Sequence, residues 1–157
     1  MNNFQREGYI SNAHVGREFE ERIRRSFLNT YYINLKSKYN LEIGKTRKKI
    51  HEFDLGYEGK YENIVVECKS HTWTSSDNIP SAKLTVWNEA MYYFTLVPNN
   101  YRKIFCVLKS YSKRREKTLA QYYIEKYYHL IPEDVEIFEY DYELDELIKL
   151  NHINVLV

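Results

Sequence analysis

Glycine and proline are scarce in this chain, five and three in 157 residues, and no stretch has biased composition. Linkers and low-complexity tracts are therefore not expected, and residues 1–157 read as a single domain. Cysteine is scarcer still. The two thiols, Cys68 and Cys106, cannot build a disulfide framework, and both sit inside apolar, strand-like runs. Reduced cysteines of that kind suit a cytoplasmic protein. No apolar run approaches the roughly 20 residues of a membrane span, and residues 1–6 lack the apolar core of a signal peptide. The five histidines include no close ligand pair, so no zinc centre is expected. A Gly-rich phosphate loop and a Gly-x-Ser-x-Gly elbow are also missing.

Charge and tyrosine, by contrast, are abundant. The net charge of +1 hides a division: residues 1–118 hold 21 Lys and Arg against 13 Asp and Glu, while residues 119–157 hold 2 against 9. A basic body with an acidic tail suits a polyanion bound on one side. Sixteen tyrosines are enough to suggest base stacking. Most recur at helical or strand spacing, however, so packing is the expected role, with Tyr57 and Tyr61 as the best candidates for stacking.

Periodicity supplies the elements. Val15, Phe19, Ile23 and Phe27 recur every four residues and predict a helix over residues 14–28, with Ser11 or Asn12 as its cap. A strand is expected at residues 31–35, and residues 36–49 read as a polar stretch looping around Gly44. Strands follow at 50–55 and from Ile64, joined by the turn-like Gly56-Tyr57-Glu58-Gly59-Lys60. Residues 70–78 form a Ser/Thr-rich loop. Pro80 opens a helix over 81–96, with Leu84, Trp87, Met91 and Phe94 on one side. Then come a strand at 103–109, a helix at 118–130, a strand at 135–140, a short helix at 142–150 and a possible edge strand at 154–157. A strand–helix–strand step implies a parallel pair with a right-handed crossover.

The densest chemistry lies at Asp54 and at Glu67-Cys68-Lys69. The triplet ends the apolar run Ile64-Val65-Val66, and alternation puts Val65, Glu67 and Lys69 on one face. A carboxylate and an ammonium at the end of a buried strand are costly to desolvate without partners or work to do. If the two strands pair, both carboxylates and the lysine converge, as a site holding Mg²⁺ beside a phosphodiester needs.

Asp54…Glu67-Cys68-Lys69 resembles the signature of the PD-(D/E)xK nuclease superfamily, which includes restriction endonucleases and Holliday-junction resolvases. Gly16-Arg17-Glu18-Phe19-Glu20 is similar to the Gly-x-x-Phe-Glu stretch of the resolvase-like branch. The match spans about residues 14–110. Phe53 stands where the name-giving proline would be, and Gln121-Tyr122-Tyr123-Ile124-Glu125 does not complete the Gln-x-x-x-Tyr element of the RecB-like branch. The resemblance implies an α/β, restriction endonuclease-like fold: a mixed sheet flanked by helices on both faces, core order αβββαβ, with C-terminal α/β additions.

It also implies a function, a Mg²⁺-dependent endonuclease acting on DNA, with Mn²⁺ as a substitute metal. Asp54 and Glu67 would be direct ligands, the backbone carbonyl of Cys68 a third, and Glu20 a further carboxylate, direct or through water. Lys69 would hold the attacking water and offset transition-state charge. Lys45, Arg47, Lys48 and Lys49, with Lys113, Arg114 and Arg115, are the candidate contacts to nucleic acid; Lys109 and Lys117 flank the second group. Cutting two strands would require a homodimer. Restriction and junction cutting stay open, as does RNA in place of DNA. The alternative is a catalytically idle nucleic-acid-binding or interaction module of the same fold.

Overall fold

Strand alternation divides the interior into two layers. On β3 (Asn63–Lys69), Val65 joins one apolar cluster, while Ile64, Val66 and Cys68 join another on the opposite face. This is a computed structural model that describes the backbone of residues 3–150 and side chains from residue 13 onward.

The elements run α1 (Asn3–Tyr31), β1 (Lys36–Ile43), β2 (Lys49–Glu58), β3, α2 (Ser81–Leu96), β4 (Tyr101–Leu108), β5 (Tyr111–Ser112), β6 (Lys117–Thr118), α3 (Leu119–Tyr127), a 3₁₀ turn, β7 (Val135–Asp141) and β8 (Glu146–Leu150). Six strands form one mixed sheet in the order β1-β2-β3-β4-β7-β8. The pairs β3–β4 and β4–β7 are parallel, and the others in this sheet are antiparallel. β5 and β6 form a separate small hairpin. The class is thus α/β, with the first six elements in the order αβββαβ.

Each helix is held by the apolar stripe its sequence carries. Phe19, Ile23 and Phe27 of α1 are buried against Ile64, Val66, Ile104 and Phe138. Leu84, Trp87, Met91 and Phe94 of α2 pack on the other face with Phe53, Val65 and Phe105, joined by Tyr123 of α3. Complete burial of such side chains stabilises by roughly 2–3 kcal/mol each. α3 starts at a capping box, in which Gln121 N donates to Thr118 Oγ1 and Thr118 N to the Gln121 side chain.

Four expectations need correction. The first helix begins at Asn3, so residues 11 and 12 lie inside it and do not cap it. The expected strand at 31–35 is the end of α1 and a connector; the strand lies in the stretch read as polar, as β1. β1 is an edge strand whose buried side chains are Tyr39 and Ile43, so its apolar signal is sparse. Residues 142–150 are a turn and β8, because pairing with β7 outweighs their helix-compatible spacing. The expected edge strand at 154–157 lies outside the described residues. Among the described residues, no helix is long and apolar enough to cross a membrane.

Candidate functional site

β2 and β3 pair from Glu58↔Asn63 to Leu55↔Val66, and the ladder stops there. At the next position the Asp54 carboxylate enters the gap, and its Oδ2 accepts from Cys68 N at 2.7 Å. On the other side, β1–β2 pairing is interrupted between Ser37↔Leu55 and Tyr39↔Phe53, where Lys38 takes a left-handed φ of 52°. Phe53 and Leu55 consequently fall into opposite core layers, although alternation would place them together. The strand rolls over at Asp54, and that local break frees the carboxylate from either core.

Glu67 and Lys69 lie on the α2 face of β3, as alternation predicts. Glu67 is only 6% exposed. Its Oε2 accepts from Lys69 Nζ at 3.0 Å, and its Oε1 lies 3.3 Å from Nε2 of His51 on β2. His51 is fixed in turn, stacked on Tyr93 of α2 with ring centroids 3.9 Å apart and edge-on to Phe53. Asp54, Glu67, Lys69, His51 and Tyr93 line one cleft of about 230 Å³ with Glu52, Val86, Glu89 and Ala90.

Glu20 of α1, outside the lining of that cleft, lies within the electrostatic reach of its charges. Half-buried, it has its carboxyl raised by burial, and the charges of Lys69, Glu67, Arg17 and Lys38 all act on it. The three acids therefore share one field. Burial, then the Glu67 charge, pushes Asp54 up to about 7 against the pull of Lys69 and the Cys68 N–H. Burial also acts against Glu67, but the His51 hydrogen bond and the Lys69 ammonium hold it below the usual carboxylate range. For Lys69, burial is outweighed by Glu67 and Asp54, and its ammonium is held above its ordinary value. Cys68 is pushed well upward by burial, a neutral thiol unsuited to nucleophilic attack.

Could a cation fit? Among the described residues, Asp54 Oδ1 accepts no hydrogen bond, and the surplus negative charge that burdens Asp54 is what a cation would relieve. Hard carboxylate oxygens suit Mg²⁺. Among the described residues there is, however, no group of three or more His, Cys, Asp and Glu that could hold a metal ion. Asp54 Oδ1 is thus the carboxylate oxygen left open to a cation, while Glu67 Oε1 and Oε2 are engaged by His51 and Lys69.

The basic residues divide. Lys45, Arg47, Lys48 and Lys49 are exposed on the β1–β2 turn, at the end of the sheet where Glu67 and Lys69 lie. Lys113 is exposed on the β5–β6 hairpin, which follows β4 at that same end. Arg114 and Arg115 are engaged within the molecule: both donate to the Asp77 carbonyl at 2.9 Å, and Arg115 lies over the Trp73 ring. They fasten the 70–78 loop to the hairpin. Lys109 and Lys117 are paired with Asp141 and Glu125. On α1, Arg22 and Arg24 pair with Glu18 and Glu21.

Tyr61 is 90% exposed but sits at the turn before β3, the opposite end of that strand from Glu67; Tyr57 packs beside the α1-side core. His71 is a satisfied structural group, its Nδ1 accepting from Trp87 Nε1 at 2.9 Å. His51, Lys38 and Tyr93 stand in or beside the site although the sequence reading named none of them for it. Alternation along β2 puts residues 49, 51 and 53 on one face, which could have assigned His51 to the side of Glu67. Nothing local marks Lys38.

No protein-family profile, no curated protein and no solved structure matches the chain.

Proposed function

We propose that this protein is a Mg²⁺-dependent endonuclease that hydrolyses DNA phosphodiester bonds, built on a restriction endonuclease-like fold of the PD-(D/E)xK type. The observation that carries the proposal is the convergence of Glu20, Asp54, Glu67 and Lys69, from three separate elements, on one end of the sheet. The αβββαβ order and the mixed sheet with helices on both faces support the same fold assignment.

Asp54 and Glu67 would hold the metal, with the Cys68 carbonyl as a further oxygen donor and Glu20 acting through water. A Mg²⁺ ion held there would screen the phosphate's charge and make a bound water more acidic. Lys69, kept protonated by its carboxylate neighbours, would hold the attacking water and offset charge that builds in the transition state. His51 holds Glu67 in place through Oε1, leaving Oε2 to face Lys69. The basic turn at residues 45–49 and Lys113 approach the backbone on either side. A double-strand cut needs two such sites, hence a homodimer. Reduced Cys68 and Cys106 agree with a cytoplasmic location.

A second reading, an idle nucleic-acid-binding module, draws on two observations. Lys69 closes on Glu67, and no three-ligand group is gathered among the described residues. Supercoiled, linear and four-way-junction DNA, with matching RNA, incubated with and without Mg²⁺, separates the two. Mg²⁺-dependent cleavage of DNA is expected; binding without cleavage under every metal supports the idle module.

A further inference from the structure

A second cleft, of about 260 Å³, adjoins the first and shares His51, Glu52 and Tyr93 with it. It runs from the carboxylates toward the β1–β2 turn. Its walls are Ile43 and Leu96, apolar, and Arg47 and Lys49, cationic. Strand alternation turns Lys49, His51 and Phe53 toward α2, and Ile50 and Glu52, both exposed, also line the cleft. The Tyr93–His51 stack, with Phe53 edge-on to His51, is an aromatic wall shared by the two clefts. Gly44, at a φ of 127°, sets the turn, and a Cβ there would lie 2.1 Å from the Arg47 carbonyl oxygen.

A flat aromatic and aliphatic wall, next to cations and opening onto a phosphodiester site, has the chemistry of a nucleotide subsite. Aromatic faces take bases without regard to sequence, while cations take the phosphate. A base inside a continuous duplex is already stacked on both faces and cannot also occupy this wall. Resting on the nuclease reading, we propose that this cleft receives one unpaired nucleotide adjoining the scissile phosphate, its base against Tyr93 and Leu96 and its phosphate on Arg47 and Lys49. The preferred substrate is then DNA with an unpaired nucleotide at the cut, and continuous duplex is the poorer one.

The test uses the full chain carrying Asp54→Asn, which binds without cutting, and two fluorescein-labelled DNAs of equal length: a continuous duplex and a duplex with a single-stranded extension. Anisotropy titration in Mg²⁺ should give tighter binding of the extended DNA by about tenfold. Tyr93→Leu should reduce that preference to roughly twofold. Lys49→Glu, at an exposed position where folding is not at stake, should weaken both DNAs and the extended one more. Equal affinity of the two DNAs, or a preference unchanged in both variants, overturns the subsite. Wild-type protein on the same DNAs keeps the two proposals apart. A binding preference with no cleavage in any metal removes the nuclease reading and leaves the subsite. Cleavage of both DNAs at one rate removes the subsite and leaves the nuclease.

Discussion

Asp54 is ionised at a cost. Its carboxyl titrates near 7, against an ordinary value of 3.8, because of burial and the Glu67 charge. A folded-state value above the unfolded one means stability is full below the unfolded value and falls as pH rises through the folded value. Asp54→Asn keeps an oxygen to accept from Cys68 N and removes the charge. It should therefore raise stability at pH 8 by roughly 1–2 kcal/mol, measured by denaturant unfolding, while cleavage falls by about a hundredfold or more. Added Mg²⁺ should raise the Tm of the wild type and leave that of the variant unchanged. His71 has the opposite sign. Burial, then the Lys83 and Lys69 charges, lowers it to about 4 from 6.5. Its contribution is full above 6.5 and lost as pH falls toward 4. His71→Asn retains an acceptor for Trp87 Nε1, and should flatten the acid limb of the stability–pH curve between those values. An unaltered acid limb in the variant would remove His71 as its cause.

At the scale of elements, α3 and α1 offer the clearest tests. Thr118 caps α3 and also donates from Oγ1 to the buried Glu139 carboxylate. Thr118→Ala loses the cap and orphans that acid, so a loss of about 2–4 kcal/mol is expected, with Thr118→Ser retaining most of it. Gly16 sits inside α1, and a Cβ there would meet nothing within 4 Å. Gly16→Ala should stabilise the helix by roughly 0.5–1 kcal/mol. A rise in KM for DNA with unchanged kcat would show that the open space beside Glu20 admits substrate. Elements were legible in the sequence where one face is apolar throughout. α2 matches residues 81–96 because Leu84, Trp87, Met91 and Phe94 all point inward. β1 escaped because an edge strand buries few residues, and β8 because its helix-compatible spacing is overridden by its ladder to β7.

Across the whole molecule, the charge division along the sequence becomes a lateral one. The basic turn and β1–β2 occupy one side of the sheet, and acidic β7–β8 the other. DNA binding by the Asp54→Asn protein should weaken steeply with salt, with a slope near −4 to −5 on a log–log plot for about five phosphate contacts on duplex. Lys48→Glu and Lys113→Glu should each flatten it by about one, whereas Lys117→Ala, whose partner is Glu125, should not. The motif residues were legible because strand alternation and an apolar flank fix where Glu67 and Lys69 point. The roll at Asp54 was not, since it coincides with a break opposite Lys38 on a neighbouring strand. The decisive measurement is the single-turnover rate of Mg²⁺-dependent DNA cleavage by wild type, Lys69→Ala and Asp54→Asn, each verified as folded. Cleavage by the wild type, falling about a hundredfold or more in both variants and vanishing in EDTA, is the expected result. Equal rates in all three proteins, or cleavage that persists in EDTA, would show that Asp54 and Lys69 do not belong to a metal-dependent hydrolytic site.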